Sequence, residues 1–228
     1  MASSRAGQTT QSGGKKQPKP SSPVKTAYLV LYNTLSAAAW SVVLFRTLSI
    51  AIQQDPKLVH VGVGEWTKWT QTGALLEVLH SLLGIVRAPL MTTVMQVASR
   101  ILLVWGVVHP FPEVALSTNF YSSMLIAWSV TEVIRYSFFA FSLSLGSTPG
   151  LLTWLRYNTF FVLYPLGITS ECALIWFATG PAAHLHQLYQ YALYAILAIY
   201  VPGSYTLYTY MMKQRGKVMR DLKVKKTQ

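Results

Sequence analysis

The chain has 228 residues and a formal net charge of +12, with 19 Lys and Arg against 7 Asp and Glu, yet only 11% of it is charged and 52% is hydrophobic. A soluble domain carries roughly 25% charged residues, so this chain cannot coat a globule in water, and its single cysteine, Cys172, leaves no partner for an intrachain disulfide or a multi-cysteine metal cluster. Five of the bases precede residue 26 and seven follow residue 212, whereas nucleic-acid binding needs a basic face on a folded domain; soluble enzymes, nucleic-acid partners and secreted disulfide scaffolds are excluded.

Residues 1–25 are mostly Ser, Gly, Gln, Lys and Pro, too poor in large apolar groups to fold, and read as a disordered basic cytosolic tail. They are not a signal peptide, because the apolar run behind them is too long for an h-region. That run, 27–52, is apolar apart from Asn33 and Arg46 and exceeds the ~20 residues a bilayer requires. The mixed stretch 53–71, with Trp66 and Trp69, reads as interfacial. Two spans follow at 72–86 and 90–108, joined by the turn Arg87-Ala88-Pro89. Three more lie at 120–143, 152–177 and 188–212, separated by Pro-rich or Gly-rich breaks.

Only helices satisfy their own backbone in hydrocarbon within such segments. The expected fold class is therefore all-α: a polytopic membrane protein, a bundle of six transmembrane helices with a polar interior over 26–212, flanked by the 1–25 tail and a second basic cytosolic tail at 213–228. Both ends are basic, and the positive-inside rule places both in the cytosol, which an even number of spans allows. The terminal Lys225-Lys226-Thr227-Gln228 resembles the dilysine retrieval signal of endoplasmic reticulum membrane proteins; attraction to anionic head groups is the alternative. The expected location is the endoplasmic reticulum membrane, multi-pass.

Charged groups at membrane depth are costly, so they are paired or functional. Glu77 with His80 and Glu132 with Arg135 are at i, i+3, and Gln96 with Arg100 is at i, i+4, so each pair shares a helix face that should turn inward. Mutual neutralisation in helix packing is the alternative role for any of them. Glu77-x-x-His80 is half of a carboxylate-bridged metal helix, but no second motif accompanies it, and no metal is expected. Tyr164 and Glu171 are seven apart, about 700° around a helix, and so share a face. Pro165 between them kinks the helix, and Gly167 lets a chain approach the backbone. A phenol and a carboxylate on one inward face form a candidate site; the alternative is a buried acid satisfied by an arginine beside an interfacial tyrosine.

The run Tyr164-Pro165-Leu166-Gly167-Ile168-Thr169-Ser170-Glu171 resembles the active-site segment of the 3-hydroxyacyl-CoA dehydratases of very-long-chain fatty acid elongation, also called protein tyrosine phosphatase-like proteins. So do Leu75-Leu76-Glu77-Val78-Leu79-His80, Gln96-Val97-Ala98-Ser99-Arg100, Glu132-Val133-Ile134-Arg135-Tyr136, Leu155-Arg156-Tyr157 and Ala198-Ile199-Tyr200-Val201-Pro202-Gly203, in order over about residues 28–215. The resemblance implies a six-span endoplasmic reticulum enzyme that dehydrates (3R)-3-hydroxyacyl-CoA to trans-2-enoyl-CoA, the third step of the elongation cycle. It implies Tyr164 and Glu171 as the catalytic pair. Glu77, Gln96, Arg100, Arg135, Arg156 and Gly167 would bind substrate or support the site. No cofactor is implied beyond the coenzyme A of the substrate; the expected partners are a long-chain 3-hydroxyacyl-CoA, membrane lipid and the condensing enzyme and reductases of the cycle. Phosphatase activity is not expected. A cysteine phosphatase needs a Cys-x5-Arg loop to cradle phosphate, and the sixth residue after Cys172 is Ala178, with no arginine between.

Dehydration needs a base for the proton at C2 and an acid for the hydroxyl leaving C3. The preferred assignment has Tyr164 accept the proton and Glu171 serve the hydroxyl, with the reverse left open. Seven residues rise about 10.5 Å along a helix, so the pair converges only through the Pro165–Gly167 kink, long side chains or a bridging water. Arg87, Arg135 and Arg156 fall near the cytosolic ends of their spans and are expected to meet the CoA phosphates, for which guanidinium is the bidentate partner. Snorkelling to lipid phosphates is the alternative. A non-catalytic scaffold of the elongation complex and a solute or proton path are the competing functions.

Overall fold

The computed structural model describes residues 22–226, with side chains described as far as Arg220, and within that range every regular element is a helix. Helix α1 (Pro23–Gln53) opens on a proline, whose missing N–H costs nothing in a first turn. A 3-10 turn, Pro56–Leu58, reverses the chain under an Asp55 carboxylate that accepts from the Lys57 N–H at 2.8 Å. Helices α2 (Val59–Gly73) and α3 (Leu75–Leu82) follow, interrupted at Ala74. Helix α4 (Leu90–Ile101) passes into a π-helical segment, Leu102–Val108. The short α5 (Pro112–Ser117) leads to α6 (Phe120–Leu145), which stops on Gly146 in the left-handed region at φ 66°. Helices α7 (Gly150–Asn158) and α8 (Phe160–Leu185) meet at Thr159, and α9 (Gln187–Lys226) returns along α8.

Helix α6 is the central rod. Helices α1 and α8 pack along it, α2 lies on α1, and α9 lies on α8. Trp40 and Val43 of α1, Val59 and Val63 of α2, Leu103 and Val107 of the π-helical segment, Met124, Leu125 and Trp128 of α6, and Leu174 and Ile175 of α8 form one continuous core. Outward, Leu31, Phe45, Val61, Val162, Ile199 and Val201 are exposed, an apolar coat of the kind a soluble monomer does not present to water.

Four segments among the described residues are long and apolar enough to cross a membrane: Pro23–Gln53, Leu90–Val108, Phe120–Leu145 and Phe160–Leu185. The chain is thus an all-helical, multi-pass membrane protein. The expected second and sixth spans are not among these four. Of the second, 72–73 belong to the end of α2, Ala74 interrupts it, and α3 ends after 8 residues at Leu82. The sixth lies in the 40-residue α9, where tyrosines at 189, 191, 194, 200 and 205 dilute the aliphatic run.

Several boundaries differ from the sequence expectation. The stretch 53–71 is not merely interfacial, because α2 begins at Val59 and presses Val59, Val63, Thr67 and Gln71 inward. Gly62 lies against the end of the Ile50 side chain of α1, which a Cβ there would push aside. The expected fifth span breaks at Thr159, whose carbonyl accepts from both Val162 and Leu163, and then runs through Pro181 to Leu185 instead of ending at 177. Helix α1 takes in the last residues of the expected 1–25 tail, the rest of which lies outside the described residues. Helix α9 continues through the expected 213–228 tail to Lys226; Thr227, Gln228 and the side chains of the dilysine pair lie outside the described residues.

The π-helical segment has a traceable cause. Pro110 has no N–H to give to the Gly106 carbonyl, and the Tyr189 hydroxyl of α9 donates to it instead. The His109 N–H reaches five residues back to Val104 at 3.0 Å, the spacing of a π turn.

Candidate active site

Glu171 stands on the inward stripe of α8 with Gly167, Ser170, Leu174 and Ile175, and is 6% exposed. Both carboxylate oxygens accept a hydrogen bond: Oε1 from the Trp128 indole N–H of α6 at 2.8 Å, and Oε2 from the Tyr200 hydroxyl of α9 at 3.0 Å. An ionised carboxylate is an acceptor only, and this cradle offers it donors on each oxygen. Gly167 lies one turn before it. A Cβ there would stand 3.6 Å from the Ala127 Cβ and 3.9 Å from Glu171 Oε1, so a larger side chain would fill the space beside the carboxylate.

Tyr164, half-buried on the same stripe, does not bond Glu171. Its hydroxyl donates to the Ser204 carbonyl of α9 at 2.9 Å, and its ring packs against Tyr208 with centroids 5.8 Å apart. The two groups therefore reach α9 at residues 200 and 204, one turn apart and separated by a rise of about 6 Å. Both members of the pair are thus tied to the same helix, α9. Helix α8 runs uninterrupted through Pro165.

Beside this pair runs a chain of charges drawn from three helices. The Arg135 guanidinium donates from Nη1 and Nη2 to the two oxygens of Glu77 at 2.9 and 2.7 Å, and from Nε to Glu132 Oε2 at 2.7 Å. Glu132 Oε1 accepts from Arg100 Nη1, and the Tyr136 hydroxyl donates to Glu77. Two acids and two bases thus balance. The Arg100 guanidinium also lies 4.9 Å from the centre of the Trp128 ring, whose N–H holds Glu171, so the charge chain abuts the carboxylate through one shared indole.

The sequence-predicted residues divide accordingly. Glu77, Arg100 and Arg135 are brought together, but as partners for Glu132 and for each other, and Arg135 is not free to meet phosphate as expected. Glu77 and His80 take different hydrogen-bond partners: the Tyr28 hydroxyl and His80 Nε2 pair at 2.8 Å. Gln96 is a correction. It is exposed, and none of the described residues bonds its side chain. It lies within 40° of Arg100 around the helix, but only the longer arginine reaches across to α6. Arg156 has no carboxylate partner among the described residues and lies 4.5 and 4.6 Å over the Phe138 and Phe139 rings. Arg87 is exposed in the turn after α3.

Sequence reasoning gave no role to Trp128, Tyr136, Tyr200 or the Ser204 carbonyl. Trp128 lies one turn before Glu132 on the inward face of α6, and Tyr200 sits inside the 198–203 run, so spacing and motif pointed near both. The contact of Arg215 with Asn158 Oδ1, at 3.0 and 3.1 Å, joins residues 57 apart and had no local signal.

Comparison with known proteins identifies the family. A family model described as protein tyrosine phosphatase-like protein, PTPLA, matches residues 71–221, which takes in α3 with Glu77, the charge chain, both members of the pair and most of α9. The chain is 43% identical over 205 residues to a probable very-long-chain (3R)-3-hydroxyacyl-CoA dehydratase of Schizosaccharomyces pombe, covering 90% of this chain and 98% of that relative. It is 40% identical to the very-long-chain (3R)-3-hydroxyacyl-CoA dehydratase PASTICCINO 2 of Arabidopsis thaliana, over 89% of this chain and 97% of the relative. With the human very-long-chain (3R)-3-hydroxyacyl-CoA dehydratase 2 it shares 37%, over 86% of this chain and 82% of the relative. No solved structure matches the chain. The matched segment holds every charged residue of the site, and the similarity extends over nearly the whole length of its relatives: the chain belongs to the protein tyrosine phosphatase-like family, PTPLA.

Proposed function

We propose that the protein removes water from very-long-chain (3R)-3-hydroxyacyl-CoA to give trans-2-enoyl-CoA, in the third step of the elongation cycle. The observation that carries the reading is the buried Glu171 carboxylate, accepting on both oxygens, on one stripe with a phenol that donates. That polarity supports the assignment left open from sequence, with the two roles exchanged. Glu171 takes the proton from C2; the electron pair of that C–H bond forms the C2–C3 double bond as the C3–O bond breaks. Tyr164, released from the Ser204 carbonyl, gives its proton to the departing hydroxyl, which leaves as water. The proton on Glu171 then passes to the Tyr164 phenolate and restores both groups. The chemistry is acid–base throughout, and it calls for no cofactor beyond the coenzyme A already on the substrate.

The placement follows from topology. Six spans, with α2–α3 as the second and α9 as the sixth, put both termini in the cytosol, in a membrane of the endoplasmic reticulum where the condensing enzyme and reductases of the cycle are the expected neighbours. Residues 26–212 are then the catalytic unit, and the basic segments on either side are cytosolic. On that topology Arg156, 4.5 Å over the Phe138 ring, and Arg215, which donates to Asn158 at 3.0 Å, belong to the cytosolic mouth. Both are available to CoA phosphates in place of Arg135, which is consumed by Glu77 and Glu132. The test is incubation of the purified chain with a long-chain 3-hydroxyacyl-CoA, following enoyl-CoA. Glu171→Gln and Tyr164→Phe should each lower the rate by ~10²–10⁴, the range for a positioned acid or base. Folded variants that keep full activity would refute the assignment.

A further inference from the structure

We infer that Tyr200 of α9 is a positioning residue of this site, which orients the Glu171 carboxylate for removal of the C2 proton. The inference rests on the dehydratase reading and adds to it a third helix that shapes the reaction. Glu171 projects from α8 on a side chain with rotatable bonds, so a single hydrogen bond would leave its carboxyl plane free to turn. The Trp128 N–H at 2.8 Å holds one oxygen from α6 and the Tyr200 O–H at 3.0 Å holds the other from α9. Two donors on two oxygens, from two different helices, fix that plane. A carboxylate has about four lone-pair sites, so two remain for a substrate proton. Gly167 approaches them closely, since a Cβ there would stand 3.9 Å from Oε1.

The same turn of α9 also acts on the other member of the pair. Tyr200 meets Glu171, and four residues on the Ser204 carbonyl receives the Tyr164 hydroxyl at 2.9 Å. Pro202 lies between, so the turn that touches both groups lacks one backbone N–H of its own. Tyr200 touches the carboxylate and not the reacting carbons, and for that reason it sets how well Glu171 is aimed while leaving how tightly substrate is held unchanged.

The test uses the full-length protein in detergent or vesicles, with a long-chain 3-hydroxyacyl-CoA carrying hydrogen or deuterium at C2. In Tyr200→Phe the hydroxyl is lost and the ring stays. A hydrogen bond to a charged group is of a size that changes a rate by ~10–100-fold, so kcat should fall within that range with KM unchanged. The deuterium effect on kcat should grow as proton removal becomes slower relative to the other steps. A role confined to packing would lower the yield of folded protein without moving the isotope effect. Trp128→Phe removes the donor on the other oxygen and should show the same signature, which keeps the test open should Tyr200→Phe not fold. Wild-type kcat in either folded variant, a change confined to KM, or an unaltered isotope effect overturns the inference while leaving the dehydratase reading intact. A wild-type protein that makes no enoyl-CoA overturns that reading and this inference with it.

Discussion

Glu132 is the junction of the charge chain, and its replacement by glutamine is the sharpest test of how the interior is held. Its side chain is 4% exposed and accepts from Arg100 on one oxygen and from Arg135 on the other, the latter also at 2.5 Å from Nη2. Removing one partner of a buried ion pair costs about 3–5 kcal/mol, because the other charge is left uncompensated. Arg135 keeps both bonds to Glu77, so most of the loss falls on Arg100, which retains its position over the Trp128 ring but loses its bonded carboxylate. The lower end, about 3 kcal/mol, is therefore expected for Glu132→Gln. Arg100→Gln should cost less, since Glu132 keeps Arg135. The double variant restores neutrality and should be more stable than the sum of the two losses predicts. Thermal unfolding in detergent of the wild type and the three variants closes the cycle. Additive losses, or a Glu132→Gln protein as stable as the wild type, would refute the view that these groups stabilise as a linked set.

Arg156→Ala should raise KM for a CoA thioester and leave turnover of a truncated thioester without the nucleotide unchanged; equal effects on both substrates would remove Arg156 from phosphate binding. Gly167→Ala should be tolerated, since its Cβ would meet nothing closer than 3.6 Å, while Gly167→Leu should abolish turnover by filling the space beside Glu171, as activity and unfolding measurements on both variants will show. A tag placed within 109–119 should be protected from protease in sealed microsomes while a tag at either end is cleaved; cleavage in 109–119 would refute the six-span topology.

The legible parts of this protein are those that depend on one helix at a time. The i, i+3 spacing of Glu132 and Arg135 anticipated their contact, and the seven-residue spacing of Tyr164 and Glu171 anticipated their common face. What crosses between helices was not legible in the same way. Arg135 was expected at the CoA phosphates, but Glu77, 58 residues away, holds it with two bonds. Gln96 has the spacing of an inward residue, yet the bundle covers the inner face of α4 only at Val97. Angular position says which way a residue points, and neighbour packing decides whether anything is there. The helix at Val59 is hidden for a related reason: a mixed stretch with Trp66 and Trp69 reads as interfacial until the surface of α1 that it packs against is in place.

The contacts made by α9 have a consequence for how the protein is made. Synthesis proceeds from the amino terminus, so α9 is the last helix to join the bundle. Until then the Gly106 carbonyl stands without the Tyr189 hydroxyl, Glu171 without Tyr200, and Tyr164 without the Ser204 carbonyl. A nascent chain halted before residue 187 thus carries three exposed polar groups in lipid and no assembled site. Completion of the bundle and onset of activity are one event, timed by the arrival of α9, and a truncated product presents a marked defect to the machinery that clears unfinished membrane proteins.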